Sequence, residues 1–134
     1  MLYIIIGLPA SGKTTYYHQF LNQMKFHDDF ISSFFDNELI HDLENGDDIC
    51  ITDPRLCDIK RFRDYMQIFR EYVEIDKIKL ILFKNDYEQC LINANNRKKK
   101  NVNNMIKIYT KLYNTDLYIN EGYSYEIIDV AHNY

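Results

Sequence analysis

The segment of the chain with the clearest chemistry is GLPASGKT, residues 7–14, which we call the glycine loop. It fits the pattern G-x-x-x-x-G-K-[ST], with Gly7, Gly12, Lys13 and Thr14 at the fixed positions. Glycines let backbone N–H groups wrap around phosphate oxygens, and the N-terminus of a following helix adds positive potential. A lysine then serves the β- and γ-phosphates, and a threonine hydroxyl completes a magnesium shell. The segment therefore predicts binding of a nucleoside triphosphate with Mg²⁺.

The residues around this pattern define the expected nucleotide contacts. The alternative is a plain glycine turn before a helix, but the apolar run in front and the helical spacing behind favour the nucleotide. In a GTPase, an N-K-x-D segment that recognises guanine follows the fourth strand. This chain has FKND there, with the residues in the wrong order, so we expect ATP. The predicted nucleotide-binding residues are Gly7, Pro9, Ala10, Ser11, Gly12, Lys13, Thr14 and Thr15.

Two aspartates stand where predicted strands end. Transfer of phosphate to a hydroxyl needs a carboxylate to accept its proton. Asp36 ends the apolar run 30–36 and is placed to be that base, or else to cap the helix that begins after it. Asp53 ends the run 48–53 and suits a magnesium site or the acceptor, or else a turn before Pro54.

A basic run, NNRKKKN at 95–101, separates two predicted helices. Arg97 in this run can fork onto phosphate oxygens, as a lysine cannot. A lid around 93–102 that closes on the nucleotide would exclude water and favour transfer over hydrolysis. The alternative is a solvated basic hinge.

Alternating strands and helices predict an α/β fold. We expect the three-layer sandwich of a P-loop NTPase, with about five mostly parallel strands and helices on both faces. The carboxyl ends of such strands form the ligand edge, where Gly7, Asp36 and Asp53 all fall. The predicted strands are 2–6, 30–36, 48–53, 77–83 and 123–130, and the longest predicted helix is 57–75.

Composition bounds the protein class. A chain of 134 residues predicts one domain, 1–134, and a net charge of −4 argues weakly against nucleic-acid or membrane surfaces as partners. Cys50, Cys57 and Cys90 are odd in number with no C-x-x-C spacing, which predicts reduced thiols and a cytoplasmic protein. The opening MLYIII is too short for a signal peptide or membrane span. No oligomeric state is indicated.

The chain as a whole resembles the phage-type polynucleotide 5′-hydroxyl kinases, P-loop kinases that are grouped with small AAA-type ATP-binding kinases. The resemblance is carried by GLPASGKTT, FFDN, ICITDPRL and CLINANNRKKKNVNNMIKIYTKLY. It implies that Lys13, Asp36 and Arg97 are catalytic: Lys13 with Thr14 would bind the triphosphate and Mg²⁺, Asp36 would be the base, and Arg97 the lid arginine. It places Asp53 near the acceptor.

The chain also departs from this family at two arginine positions. Asn93 replaces a second lid arginine, and Leu39 replaces the arginine that grips a substrate phosphate. Arg55, just after Asp53, is a candidate replacement for the latter. The sequence thus predicts a Mg²⁺·ATP-dependent kinase for a hydroxyl, foremost a polynucleotide 5′-hydroxyl. The alternatives are a nucleoside or small-metabolite kinase, or an ATPase module that regulates a partner.

Overall fold

The fold is built on five parallel strands, seen in a computed structural model that describes residues 1–32, 37–98 and 100–132. The strand order is β2-β3-β1-β4-β5, and every neighbouring pair is parallel. The predicted α/β class with a parallel sheet is therefore confirmed. The strands are β1 Leu2–Ile6, β2 Lys25–Asp28, β3 Ile49–Thr52, β4 Ile78–Phe83 and β5 Ser124–Ile128.

The three central strands are continuous apolar runs. β1, β3 and β4 read LYIII, ICIT and IKLILF, and nearly all of their side chains are buried. A strand covered on both faces needs this composition, whereas alternation is enough for a strand with one solvated face. β1 therefore lies in the middle of the sheet, and the glycine loop follows directly from its carboxyl end.

Helices cover both faces of the sheet. Parallel crossovers are right-handed, so the leftward step from β1 to β2 and the rightward steps between the later strands place their helices on opposite faces. Among the helices of the described ranges, the first stacks its Tyr17 on Phe26, whereas the second bonds its Asp42 to His27, and neighbouring residues of a strand point to opposite faces. None of the helices in these ranges is long and apolar enough to cross a membrane. The helices are α1 Lys13–Phe20, α2 Glu38–Glu44, α3 Ile59–Phe69, α4 Tyr87–Asn96, α5 Asn103–Leu112 and α6 Thr115–Ile119.

The predicted position of the second strand is wrong. The strand is Lys25–Asp28, and residues 30–32 form a turn after it. β2 is a four-residue edge strand with two exposed and two half-buried residues, so it lacks the apolar run that marks a central strand. Phe30 is fully buried, but it packs from the turn against Tyr65 and Phe69 of α3. Asp36, the predicted base, lies outside the described residues.

The predicted helix 57–75 is shorter in the structure. A 3₁₀ helix, Pro54–Cys57, comes first, and Asp58 separates it from α3. The Asp58 side chain accepts a hydrogen bond from the Lys60 N–H and so caps α3. The helix α6 was not predicted, because five residues are too few to show a helical period. Asn114 caps it by accepting from the Asp116 N–H.

The core beneath α3 is aromatic. Phe62 is fully buried, and its ring makes edge contacts with Tyr118 at 4.9 Å and Tyr123 at 6.1 Å between centroids. These contacts join α3 to α6 and to the segment before β5. Phe62 therefore connects elements that are more than fifty residues apart in the chain.

Replacing Phe62 by alanine should lower the free energy of unfolding by about 3–5 kcal/mol, since a buried ring is lost and a cavity is left. Denaturant unfolding measures this change. Phe20, which is 66% exposed on α1, is the matched control, and Phe20→Ala should change stability by less than about 0.5 kcal/mol. Equal losses in the two variants would contradict the packing described for α3 and α6.

Candidate functional site

The glycine loop joins β1 to α1 through an irregular backbone. Gly12 has φ +107° and Ala10 has φ +64°, in the left-handed region. The Ser11 N–H donates to the Leu8 carbonyl, and the Tyr16 N–H donates to the Gly12 carbonyl. Since α1 begins at Lys13, the free N–H groups of its first turn lie at the end of the loop. The loop thus has the strand-to-helix context that the motif requires.

Gly7 is needed because of packing. A Cβ atom on Gly7 would lie 2.7 Å from Ser11 Oγ and 2.8 Å from Phe83 Cβ, closer than real Cβ contacts. Ser11 is itself fully buried, and within the described residues its hydroxyl has no hydrogen-bond partner. These two residues therefore form the tightly packed floor of the loop.

Lys13 lies inside the loop that carries it. Its Nζ donates to the carbonyl oxygens of Gly7 at 2.8 Å and Leu8 at 2.9 Å. Burial lowers the pKa of Lys13, while Cys57, Cys90, Asp28 and Asp29 act in the opposite direction. The two carbonyl dipoles thus stabilise the charge of Lys13, and an anion in the loop would offer this ammonium group stronger hydrogen-bond acceptors.

A cavity of about 200 Å³ lies at the carboxyl ends of the strands beside the loop. It brings together six of the predicted site residues, and it adds Asp28 and Asp29, which the sequence analysis missed. The signal that could have found them is the pair of adjacent aspartates at the end of a short strand. The lining residues are Pro9, Ala10, Gly12, Lys13, Thr14, Asp28, Asp29, Pro54, Arg97 and Val102.

Asp28 and Asp29 are the carboxylates nearest this cavity in the described chain. Asp28 ends β2, and its Oδ1 accepts from the Asp29 N–H at 2.9 Å. Asp29 follows with φ +49°. Burial raises the pKa of Asp29, and the nearby charges of Asp28 and Asp53 add to this. A carboxylate whose pKa is raised in this way is suited to accept a proton.

Asp53 lies at the carboxyl end of β3, as predicted, and its side chain is fully buried. Its two oxygens accept four hydrogen bonds, three from Arg55 and one from the Ile31 N–H. Its side chain also caps the 3₁₀ helix Pro54–Cys57 by accepting from the Arg55 N–H. Asp53 therefore has the alternative role that the sequence predicted, in the turn before Pro54. The hydrogen bonds to Asp53 raise the pKa of Arg55. Direct magnesium binding by Asp53 stays a prediction, and it would require Arg55 to move.

Asn93 has a structural role at the position where the kinases that the chain resembles carry a second lid arginine. Asn93 is fully buried in α4, and its Nδ2 donates to the carbonyls of Ala10 at 2.9 Å and Ala131 at 2.8 Å. The Ala131 N–H donates in turn to the Ser11 carbonyl. Asn93 therefore fastens the glycine loop to the segment after β5, a position without room for a long cation.

Arg97 and Val102 are the residues of the predicted lid that line the cavity in the described part of the chain. α4 ends at Asn96, and Arg97 lies exposed in the turn beyond it while lining the cavity with Lys13.

Leu39, at the other departure from the family that the chain resembles, is 3% exposed and points from α2 into the core. Its side chain therefore contributes to packing.

The donor set fits a magnesium ion bound mainly through phosphate. Within the described ranges, no three His, Cys, Asp or Glu side chains are grouped to hold a metal alone. Mg²⁺ usually keeps several waters and takes one or two protein oxygens besides those of a phosphate. Thr14 and Asp28, which share the cavity, are the residues that would supply them.

A second cavity, of about 600 Å³, opens on the other side of the loop. It begins at Gly12 and Thr15 and continues between α1 and β5. Its walls are largely apolar and aromatic. The remaining lining residues are Tyr16, Gln19, Phe20, Phe83, Glu126, Ile128, Asp129 and Ala131.

Comparison with known proteins gives a viral relative. No protein-family profile matches the chain. The uncharacterized protein R277 of Acanthamoeba polyphaga mimivirus is 36% identical over 131 residues, covering 94% of each chain. The chain belongs to the family of this mimivirus protein.

Replacing Asn93 by alanine should lower the free energy of unfolding by about 1–3 kcal/mol, because the buried Ala10 and Ala131 carbonyls lose their donor. Thermal or denaturant unfolding measures the loss. Asn95→Ala, at an exposed position of the same helix, is the control and should stay within about 0.5 kcal/mol of the parent. If both variants behaved alike, the bridge would contribute nothing.

Cys57 should make the protein less stable as the pH rises above 9. Burial raises the pKa of this thiol from 9.0 to about 12, although a hydrogen bond from the Gly7 backbone lowers it slightly. The unfolded chain therefore releases the proton first and binds fewer protons than the folded state, so stability falls with pH. Between pH 8 and pH 10 this thiol should account for about 1.4 kcal/mol.

Urea unfolding of the reduced protein and of Cys57→Ala, at both pH values, isolates that contribution. The alanine variant should lose correspondingly less stability over the interval. Parallel losses in the two proteins would show that the Cys57 thiol ionises as readily in the fold as in the unfolded chain.

Proposed function

We propose that the protein is a Mg²⁺·ATP-dependent phosphotransferase that moves the γ-phosphate to a hydroxyl acceptor. The observation that supports this best is the cavity in which Lys13, Thr14 and Arg97 face Asp28 and Asp29. Cations serve the phosphates, and a carboxylate serves the acceptor hydroxyl. Phosphate binding alone would not need the two acids.

The chemistry follows from these positions. The acceptor oxygen attacks the γ-phosphorus, its proton passes to a carboxylate, and the bond from phosphorus to the bridging oxygen of ADP breaks. Lys13 and Arg97 stabilise the charge on the transferring group, and Mg²⁺ bound with Thr14 supplies further neutralisation. Asp29 is the stronger candidate base among the described residues because its pKa is raised. Asp36 stays a prediction for this role.

The second cavity is suited to the nucleoside part of the donor. It is continuous with the loop at Gly12 and Thr15 and offers the rings of Tyr16 and Phe83, which meet edge to face at 6.1 Å. An aromatic and apolar wall takes a base through stacking and burial. The triphosphate would then lie between the two cavities, over the start of α1.

The acceptor we place first is a polynucleotide 5′-hydroxyl, from the resemblance of the loop and lid. A nucleoside or small metabolite is the second candidate, and a specific observation favours it. Leu39 is buried where that family has the arginine that grips a substrate phosphate, so one phosphate contact expected for a polynucleotide is replaced by packing. Arg55 is largely neutralised by Asp53.

The test is transfer of label from γ-labelled ATP with Mg²⁺ to 5′-hydroxyl DNA, 5′-hydroxyl RNA, nucleosides and small alcohols. Lys13→Ala, Asp29→Asn and Arg97→Met should each reduce transfer at least about a hundredfold, as expected for groups that act on the transferring phosphate. Asp36→Asn, run alongside, decides between Asp29 and Asp36 as the base, whereas Asp28→Asn should raise the Mg²⁺ concentration needed for half-maximal transfer, because Asp28 would bind the ion.

Asp64→Asn, at an exposed position on α3, is the control and should transfer at the parental rate. Label on oligonucleotides alone would support the first acceptor, and label on nucleosides or alcohols alone the second. Lys13-dependent release of phosphate with no labelled acceptor, unaffected by all three aspartate variants, would overturn the kinase proposal in favour of a regulatory ATPase.

A further inference from the structure

We infer that Asp53 and Arg55 are positioning residues, which hold the segment after β2 and thereby place Asp28 and Asp29 beside the glycine loop. We call Asp53, Arg55, Ile31 and Ser32 the β2–β3 clamp. This inference goes beyond the expectation that Asp53 binds metal and Arg55 binds substrate. Its catalytic consequence rests on the proposed function, whereas its structural consequence does not.

The clamp is a closed set of short hydrogen bonds. The Arg55 Nε donates to Asp53 Oδ1 at 2.9 Å, and its Nη2 donates to Asp53 Oδ2 at 2.8 Å, so the pair is a two-point fork. The same Nη2 donates to Ser32 Oγ at 2.8 Å. Asp53 Oδ2 also accepts from the Ile31 N–H at 3.2 Å. Two residues after β3 therefore hold two residues after β2.

Burial makes this arrangement more than a surface ion pair. The Asp53 side chain is fully buried and that of Arg55 is 29% exposed. A buried carboxylate needs its charge matched and its lone pairs filled, and here the Arg55 fork and two backbone N–H groups do both. A bidentate guanidinium pair also fixes direction, which a lysine cannot do.

The position of the clamp gives it a role at the site. Asp28 is paired in register with Thr52, the residue before Asp53. After Asp28 the backbone turns at Asp29, with φ +49°, and leaves the sheet. β2 is a short edge strand, so its own ladder restrains this turn weakly. The two hydrogen bonds from the clamp to Ile31 and Ser32 supply the restraint on the far side of Asp29.

Hydrogen exchange of the nucleotide-free, magnesium-free protein tests this directly. In Arg55→Met the amides of residues 29–32 should exchange about tenfold faster, because the fork and the Ser32 bond are lost, while amides in β1 keep their protection. Arg55→Lys keeps a positive charge beside Asp53 and so stays folded, and it should show the same local increase because the fork is lost. Arg63→Met is the matched control, since it removes the exposed ion pair with Glu121, and it should leave residues 29–32 unchanged.

A second readout separates positioning from metal or substrate binding. In Arg55→Lys, kcat for transfer should fall about tenfold while the ATP Kd measured without Mg²⁺ stays within about twofold of the parent, and the half-saturating Mg²⁺ concentration should not fall, because Asp28 is displaced. Unchanged exchange at residues 29–32 in Arg55→Lys would overturn the clamp. A fall of fivefold or more in the half-saturating Mg²⁺ concentration would overturn the positioning role in favour of the metal role, because it would show that Asp53 binds the ion once the fork releases it. If no acceptor is ever labelled, the proposed function fails, and the exchange result still decides the clamp.

Discussion

The structure depends on burying the charged end of Lys13 inside the loop that precedes it. An ammonium group taken out of water needs polar partners, and the carbonyls of Gly7 and Leu8 supply them. The loop can wrap this closely only because Gly7 has no side chain to strike Ser11 and Phe83. β1 lies at the centre of the sheet, so this packed loop stands at the middle of the ligand edge.

Two buried polar side chains then fix other segments around the loop. Asn93 fastens Ala10 to the segment after β5, and Asp53 fastens the turn after β2 to the end of β3. Each is fully buried and each bonds to backbone groups that no strand or helix would otherwise satisfy. Irregular segments have no helix or strand hydrogen bonds to hold them, and these two side chains hold them instead. The cavity beside these segments therefore keeps its shape.

The same placement decides which charges face the cavity. Arg97 and Lys13 line it together with two carboxylates, whereas Arg55 turns to Asp53 and Leu39 packs into the core. A site with both signs of charge is suited to transfer, since the phosphate and the acceptor hydroxyl need opposite partners. In the proposed function, the acceptor side would therefore differ in charge from that of a kinase with several free arginines.

The sequence by itself determined the α/β class, the central strands, and the position of Lys13, Thr14 and Arg97 at the carboxyl edge of the sheet. Fixed spacing in GLPASGKT and continuous apolar runs are local properties, so they can be read without the fold. Tertiary structure alone decided the second strand, and with it Asp28 and Asp29, because an edge strand of four half-exposed residues has no apolar signature. It also decided the hydrogen bond from the Ile31 N–H to Asp53 and the one from Asn93 to the Ala10 carbonyl, since these join residues 22 and 83 positions apart. Such contacts exist only once the sheet has brought distant strand ends together.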